Sequence, residues 1–193
     1  MIEEITSQIK ESIDIKNKIL DSPIVLEMIK SMAEKSIESL NNGGKIIFCG
    51  NGGSFGDSQH LAAEFISRLR FDRSPLASIA LGTNSSNLSA IGNDYGYDKV
   101  FTRELLALGK KEDIFIPIST SGNSPNVIDA IKSAKSLGIQ VLGLCGGNGG
   151  KMIDLCDCLI VPSDKTEKIQ ESHIMIGHIF CGLVESFIFK NSK

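Results

Sequence analysis

The chain has 193 residues, of which 41% are hydrophobic and 22% charged, and a formal net charge of −3. That length is room for one domain with a core of its own, burying roughly 70% of the unfolded surface, and excludes a tandem multidomain machine. No dense Lys/Arg tract is present, so neither nucleic acid nor an anionic membrane is expected as a partner, and an anionic ligand must be held by local geometry.

The five cysteines (Cys49, Cys145, Cys156, Cys158 and Cys181) are odd in number and mostly set in apolar runs such as Ile46-Ile47-Phe48-Cys49-Gly50. They read as reduced core residues and point to a cytoplasmic protein. Cys156-x-Cys158 has no second pair, and its members are expected on opposite faces of a strand, which argues against a metal site there. The start, Met1-Ile2-Glu3-Glu4, has no positive region followed by an apolar core. No apolar run approaches the ~20 residues of a membrane span, so neither export nor a membrane location is expected.

Ile2, Ile5, Ile9, Ile13 and Leu20 recur at helical spacing among polar residues, which predicts an amphipathic first helix whose stripe needs a partner. Asp21-Ser22-Pro23 supplies a cap and a proline for the start of a second helix, over about 23–40, stopped by Asn41-Asn42-Gly43-Gly44. Pattern alone leaves open whether residues 1–42 pack on their own sheet or on another subunit.

From residue 45 the rhythm becomes strand, Gly-rich turn, helix. Apolar runs at 45–49, 77–81, 113–118, 140–145 and 158–161 are continuous rather than alternating, as in strands buried on both faces. Helical stretches at 54–70 and 125–137 supply crossovers, and a closing helix spans about 166–189. The expected fold class is α/β: an open, doubly wound, flavodoxin-like parallel sheet of about five strands, with an N-terminal helical pair and a long C-terminal helix. One domain is expected over 1–193, with 1–42 for packing and 45–193 as the sheet and active-site unit.

Two strand ends carry chemistry. The first strand runs into Gly50-Asn51-Gly52-Gly53-Ser54, where glycines allow close backbone approach and the free amides and Ser54 hydroxyl can meet an anionic or polyhydroxylated ligand. A plain tight turn explains that loop equally well. It has neither the Gly-Lys-Ser/Thr of a Walker loop nor a dinucleotide fingerprint. Ile116-Pro117-Ile118 leads into Ser119-Thr120-Ser121-Gly122-Asn123-Ser124-Pro125. Four hydroxyls converging on one helix N-terminus make a phosphate cradle, where a capping loop needs one. His60 and Glu64, four apart, share a helix face and could ligate a metal, act as an acid/base pair, or form an ordinary surface pair. The closing helix carries Gln170, Glu171, His173 and His178 in an apolar stretch.

In order, Gly50-Asn51-Gly52-Gly53-Ser54 with His60 and Glu64, Ala90-Ile91-Gly92-Asn93-Asp94-Tyr95-Gly96, Ser119-Thr120-Ser121-Gly122-Asn123-Ser124, and Ile169-Gln170-Glu171 with His178 resemble the phosphoheptose isomerase family, from about Ser22 to the C-terminus. The resemblance implies a sugar isomerase (SIS) domain and a homotetramer. It also implies conversion of sedoheptulose 7-phosphate to D-glycero-D-manno-heptose 7-phosphate, the first step toward nucleotide-activated heptose for lipopolysaccharide or capsule.

By the same resemblance, one zinc ion falls on His60, Glu64, Gln170 and His178, and proton transfer on Glu64 and His178. Substrate contacts fall on Asn51, Gly52, Gly53, Ser54, Glu64, Arg68, Asn93, Asp94, Ser119, Thr120, Ser121, Ser124 and Gln170. Arg68 is expected one helical turn past Glu64 on the same face. Phe55-Gly56, Asn84-Ser85 and Glu167 depart from the family pattern, and Phe55 beside the sugar loop bears on sugar choice. Gln170 and His178 lie eight residues apart, ~12 Å along a helix and ~80° off register. They meet at one ion if their side chains lean together, if the helix start is irregular, or if different subunits supply them. A non-catalytic SIS sensor of sugar phosphates would lack the Glu64 or His178 equivalents, whereas an SIS isomerase for another sugar phosphate would keep them.

Overall fold

The computed structural model describes residues 1–190. Five parallel strands, β1 (Ile46–Gly50), β2 (Ser78–Ala80), β3 (Ile114–Ser119), β4 (Gln140–Gly146) and β5 (Asp157–Val161), form one sheet in the order β2-β1-β3-β4-β5. The helices are α1 (Ile2–Leu20), α2 (Pro23–Asn41), α3 (Gly53–Ile66), α4 (Ser85–Tyr95), α5 (Val100–Leu108), α6 (Pro125–Ser136) and α7 (Thr166–Lys190).

Strand side chains alternate between two cores. Ile46 and Phe48 join Leu61, Phe65, Ile176 and Phe180, whereas Ile47 and Cys49 join Phe101, Leu105, Val127 and Ile131. Both faces of the sheet are therefore covered, which explains the continuous apolar runs. The chain turns opposite ways from β1 and β3, so their carboxyl ends flank the switch point where open α/β sheets bind ligands.

Ser22 caps α2, its hydroxyl accepting from the Val25 N–H at 3.4 Å, with Pro23 as first helical residue. Ile15 and Ile19 of α1 are buried, but Ile5, Ile9 and Ile13 remain about half exposed. The sequence stripe is thus not the face α1 turns to its own core. Ser12 donates to Glu171 at 2.6 Å and accepts from the buried Lys168 ammonium at 2.8 Å, tying α1 to α7.

Three sequence expectations need correction. The sequence pattern assigns no helix to the stretch of α4 and α5; α4 has no fully buried residue and only a short stripe, Leu88 and Ile91, packed against the core, while Val100, Phe101 and Leu105 give α5 a buried one. Cys156 and Cys158 are not on opposite faces, since residues two apart in extended chain share a side, and their sulfurs lie 3.5 Å apart. Residues Thr166–Phe189 of α7 are long and apolar enough to cross a membrane by length and composition, yet half of the 18-residue apolar window within them is buried inside the fold; α7 is a core helix.

Candidate active site

The loop after β1 turns at Gly52, whose φ of 56° favours glycine, and Gly53 opens α3. A Cβ at Gly53 would lie 2.5 Å from Gln170 Nε2, so any larger residue there would have to push the Gln170 side chain aside. The Gln170 amide thus rests against the glycine loop. Ser54 is buried in the first turn of α3. Phe55 turns its ring toward Gly82, where an added Cβ would meet the rings of Phe55 and Phe101, each at 3.2 Å.

His60 and Glu64 project from α3 toward His178 of α7. His60 Nε2 lies 2.9 Å from His178 Nε2 and 3.1 Å from Glu64 Oε1, and one ligand atom from each of the three residues falls within 4.8 Å of the others. Two imidazole nitrogens and a carboxylate oxygen, converging from two helices, form a donor set suited to a zinc-like ion. Helix α7 is continuous from Thr166, so an irregular start does not ease the spacing of Gln170 and His178. Asp57, one turn before His60, is a group the sequence reading passed over, although its spacing places it on the face of His60 and Glu64. Burial raises its carboxyl to about 6, the nearby His60 opposing that rise, and its Oδ2 is buried without a hydrogen-bond partner among the described residues.

At the end of β3, Ser119 and Ser124 hydroxyls lie 3.0 Å apart. Ser124 occupies the N-cap of α6 without its side chain capping the helix; Pro125 has no N–H and the Val127 N–H donates to Asn126 Oδ1 at 3.0 Å, so this end offers an anion the Asn126 N–H and the paired serine hydroxyls. Gly122 turns the loop at φ 63° against the backbone of Gly149. Of the four hydroxyls expected to converge, Ser121 instead accepts from the Asn123 N–H at 3.2 Å, and Thr120 is half-buried beside it.

Asn93 and Asp94 are exposed near the end of α4 and bond each other at 2.8 Å. Among the described residues neither bonds the two loops, although Tyr97, just beyond, donates to Asn51 Oδ1 at 3.2 Å. Arg68 is not on α3. The helix stops at Ile66, where Arg73 takes the Glu64 carbonyl at 2.7 Å and the Phe65 carbonyl at 2.6 Å, and Arg68 is exposed in the segment that follows. Asn84 has a local structural use, its Oδ1 accepting from the Ser86 and Asn87 N–H groups at the start of α4. Glu167 lies in the first turn of α7, where a carboxylate of either length complements the helix dipole.

Comparison with known proteins identifies the family. The SIS domain family matches residues 9–146. A phosphoheptose isomerase of Aneurinibacillus thermoaerophilus is 54% identical over 192 residues, covering 99% of this chain and 97% of the relative. The structure of a phosphoheptose isomerase from Neisseria gonorrhoeae superposes with TM-score 0.89 at 41% identity, over 95% of this chain and 98% of that one. One from Francisella tularensis superposes with TM-score 0.91 at 34% identity, over 96% and 98%. Sequence, fold and the site at the sheet's carboxyl edge together place the chain in the phosphoheptose isomerase family of SIS-domain enzymes, as a sugar-phosphate isomerase.

Proposed function

We propose that the chain interconverts sedoheptulose 7-phosphate and D-glycero-D-manno-heptose 7-phosphate, the opening step of activated-heptose synthesis. The observation that carries this reading is the approach of Glu64 to His60 and His178 beside two open loops at the sheet's switch point. The phosphate is bound by Ser119, Thr120, Ser121 and Ser124 at the N-terminus of α6. The sugar hydroxyls meet Asn51, Gly52, Gly53, Ser54 and Gln170, with Arg68, Asn93 and Asp94 at the rim.

The reaction moves one hydrogen from C1 to C2 and leaves the sugar's overall oxidation state unchanged. Glu64 takes the C1 proton and returns it to C2, while His178 exchanges a proton with the oxygens, so that the negative charge of the enediolate is neutralised as it forms. His60, Glu64, Gln170 and His178 would hold one divalent ion, zinc by donor type, which supplies a Lewis acid for the sugar oxygens. The exposed face of α1 supports assembly into a homo-oligomer, a tetramer by family, with residues 1–42 as packing helices and the remainder as one catalytic unit.

Glu64→Gln preserves shape and cannot accept a proton. Turnover of sedoheptulose 7-phosphate should fall at least ~100-fold, the low end for losing a general base, with circular dichroism unchanged. Near wild-type turnover would remove Glu64 from the role. A proton NMR assay offering sedoheptulose, fructose and arabinose phosphates in parallel separates this reading from another SIS isomerase, and turnover of none would favour a sugar-phosphate sensor.

A further inference from the structure

The chain leaves α3 at Ser67 and returns to the sheet at Ser78, and one buried ion pair governs its path. Arg73 Nε donates to Glu185 Oε1 at 3.0 Å, the two side chains being 2% and 1% exposed. Glu185, on α7 two turns beyond His178, also accepts from the Leu69 and Arg70 N–H groups, each at 3.0 Å. Arg73 directs its remaining donors at backbone carbonyls: Nη2 to Glu64 at 2.7 Å, and Nη1 to Phe65 at 2.6 Å and Ser74 at 3.0 Å. Glu64 and Phe65 are carbonyls that the end of α3 leaves unpartnered. At Gly182 an added Cβ would lie 2.6 Å from the Arg70 guanidinium carbon, so the segment docks flush on α7.

His60 and Glu64 ride on α3, and His178 on α7. Their mutual distances depend on how the last turn of α3 is set along and around α7. Apolar contacts between these helices, such as Phe65 against Phe180 with ring centroids 5.6 Å apart, are non-directional and tolerate small slides. A guanidinium fork joined to a carboxylate and to carbonyls is directional and fixes both register and rotation. The pair need not add net stability, since replacing a buried ion pair by well-packed apolar side chains of similar volume is often neutral or stabilising.

We propose that Arg73 and Glu185 are positioning residues, which set the Glu64 carboxylate against His178 and, through the amides of Leu69 and Arg70, fix the segment bearing Arg68. The inference rests on reading His60, Glu64 and His178 as the reacting centre. Arg73→Lys keeps a charge opposite Glu185 but lacks the donors to reach the Glu64 and Phe65 carbonyls together. Arg73→Met with Glu185→Leu removes both charges and leaves none buried alone, so it carries the same comparison should the lysine variant not fold.

Each variant is compared with wild type well below its melting transition, with folding checked by circular dichroism. Turnover and Michaelis constant are measured with sedoheptulose 7-phosphate, and retained zinc after dialysis against graded chelator. The expected result is a folded variant with kcat lowered about 10- to 100-fold and zinc released at about tenfold less chelator, the scale of losing support behind a metal site. Turnover and zinc retention both within about twofold of wild type, whatever the melting temperature, would assign the pair to stability alone and overturn the inference. Were the wild type inactive on this sugar, the substrate reading would fall, and zinc retention would still decide the positioning role.

Discussion

Asn51 and Asn126 hold each other by reciprocal amide bonds, Asn51 Nδ2 donating to Asn126 Oδ1 at 2.8 Å and Asn126 Nδ2 donating to Asn51 Oδ1 at 2.9 Å. Asn51 belongs to the loop after β1, and Asn126 is the second residue of α6, behind the serine loop. The pair therefore ties the two ligand loops together across the switch point. Asn126→Asp is nearly isosteric but cannot donate to Asn51 Oδ1, and it adds a negative charge at the helix N-terminus where a phosphate would bind. The Michaelis constant for the sugar phosphate should rise about tenfold or more, the worth of one charge-assisted hydrogen bond, with a smaller change in turnover. Calorimetric titration with the sugar phosphate checks this, and unchanged affinity would place the phosphate away from α6.

Ser119 is buried and its hydroxyl meets Ser124, so Ser119→Ala with Ser124→Ala removes both ends of one bond and leaves no orphan. The melting temperature should hardly move. The Michaelis constant should rise, since each hydrogen bond lost to a charged group costs ~1.5–3 kcal/mol, while turnover falls less than in Glu64→Gln. An unchanged Michaelis constant would shift phosphate binding to the Gly52-Gly53-Ser54 loop.

The strands and both ligand loops were legible because buried parallel strands write continuous apolar runs and loops write glycine and serine clusters. Convergence of His60 and Glu64 with His178 was not legible from spacing, since 118 positions separate the histidines and only the packing of α3 on α7 joins them. It came from the resemblance. Arg68 was misplaced on α3 because nothing local stops that helix; the stop comes from Arg73, whose guanidinium returns from beyond the helix to take its last carbonyls. Asn126 was overlooked for a similar reason, its partner lying 75 positions away.

Ile5 and Ile9 of α1 are 49% and 56% exposed, so covering what remains of each side chain is worth about half of the ~1.5–3 kcal/mol of full burial. A second copy of the chain is the expected cover. Ile5→Asp with Ile9→Asp should yield a smaller species by light scattering, without loss of helix content, because neither residue supports the core formed by Ile15 and Ile19. If subunits share the site, zinc content and isomerase activity fall with the assembly. A monomeric variant of full activity would separate assembly from catalysis.

His173 is fully buried on α7, its Nε2 3.1 Å from the Cys145 carbonyl and its Nδ1 without a partner among the described residues. Burial lowers its pKa to about 4, the carbonyl bond opposing in part. An unfolded histidine titrates near ~6.5, so between that pH and about 4 the unfolded chain binds a proton that the folded one refuses. Stability from this group is complete above the unfolded value and is lost as pH falls through the window, by about 2 to 3 kcal/mol near pH 4.5. Asp57 has the opposite sign, since its raised carboxyl, about 6, favours the folded state at low pH and loses that contribution as pH rises. Comparing wild type with His173→Leu cancels the Asp57 contribution. Urea unfolding from about pH 7 down to about pH 4.5 should show the wild type losing about 2 to 3 kcal/mol more than the variant; parallel losses would mean that the folded protein admits the proton at His173.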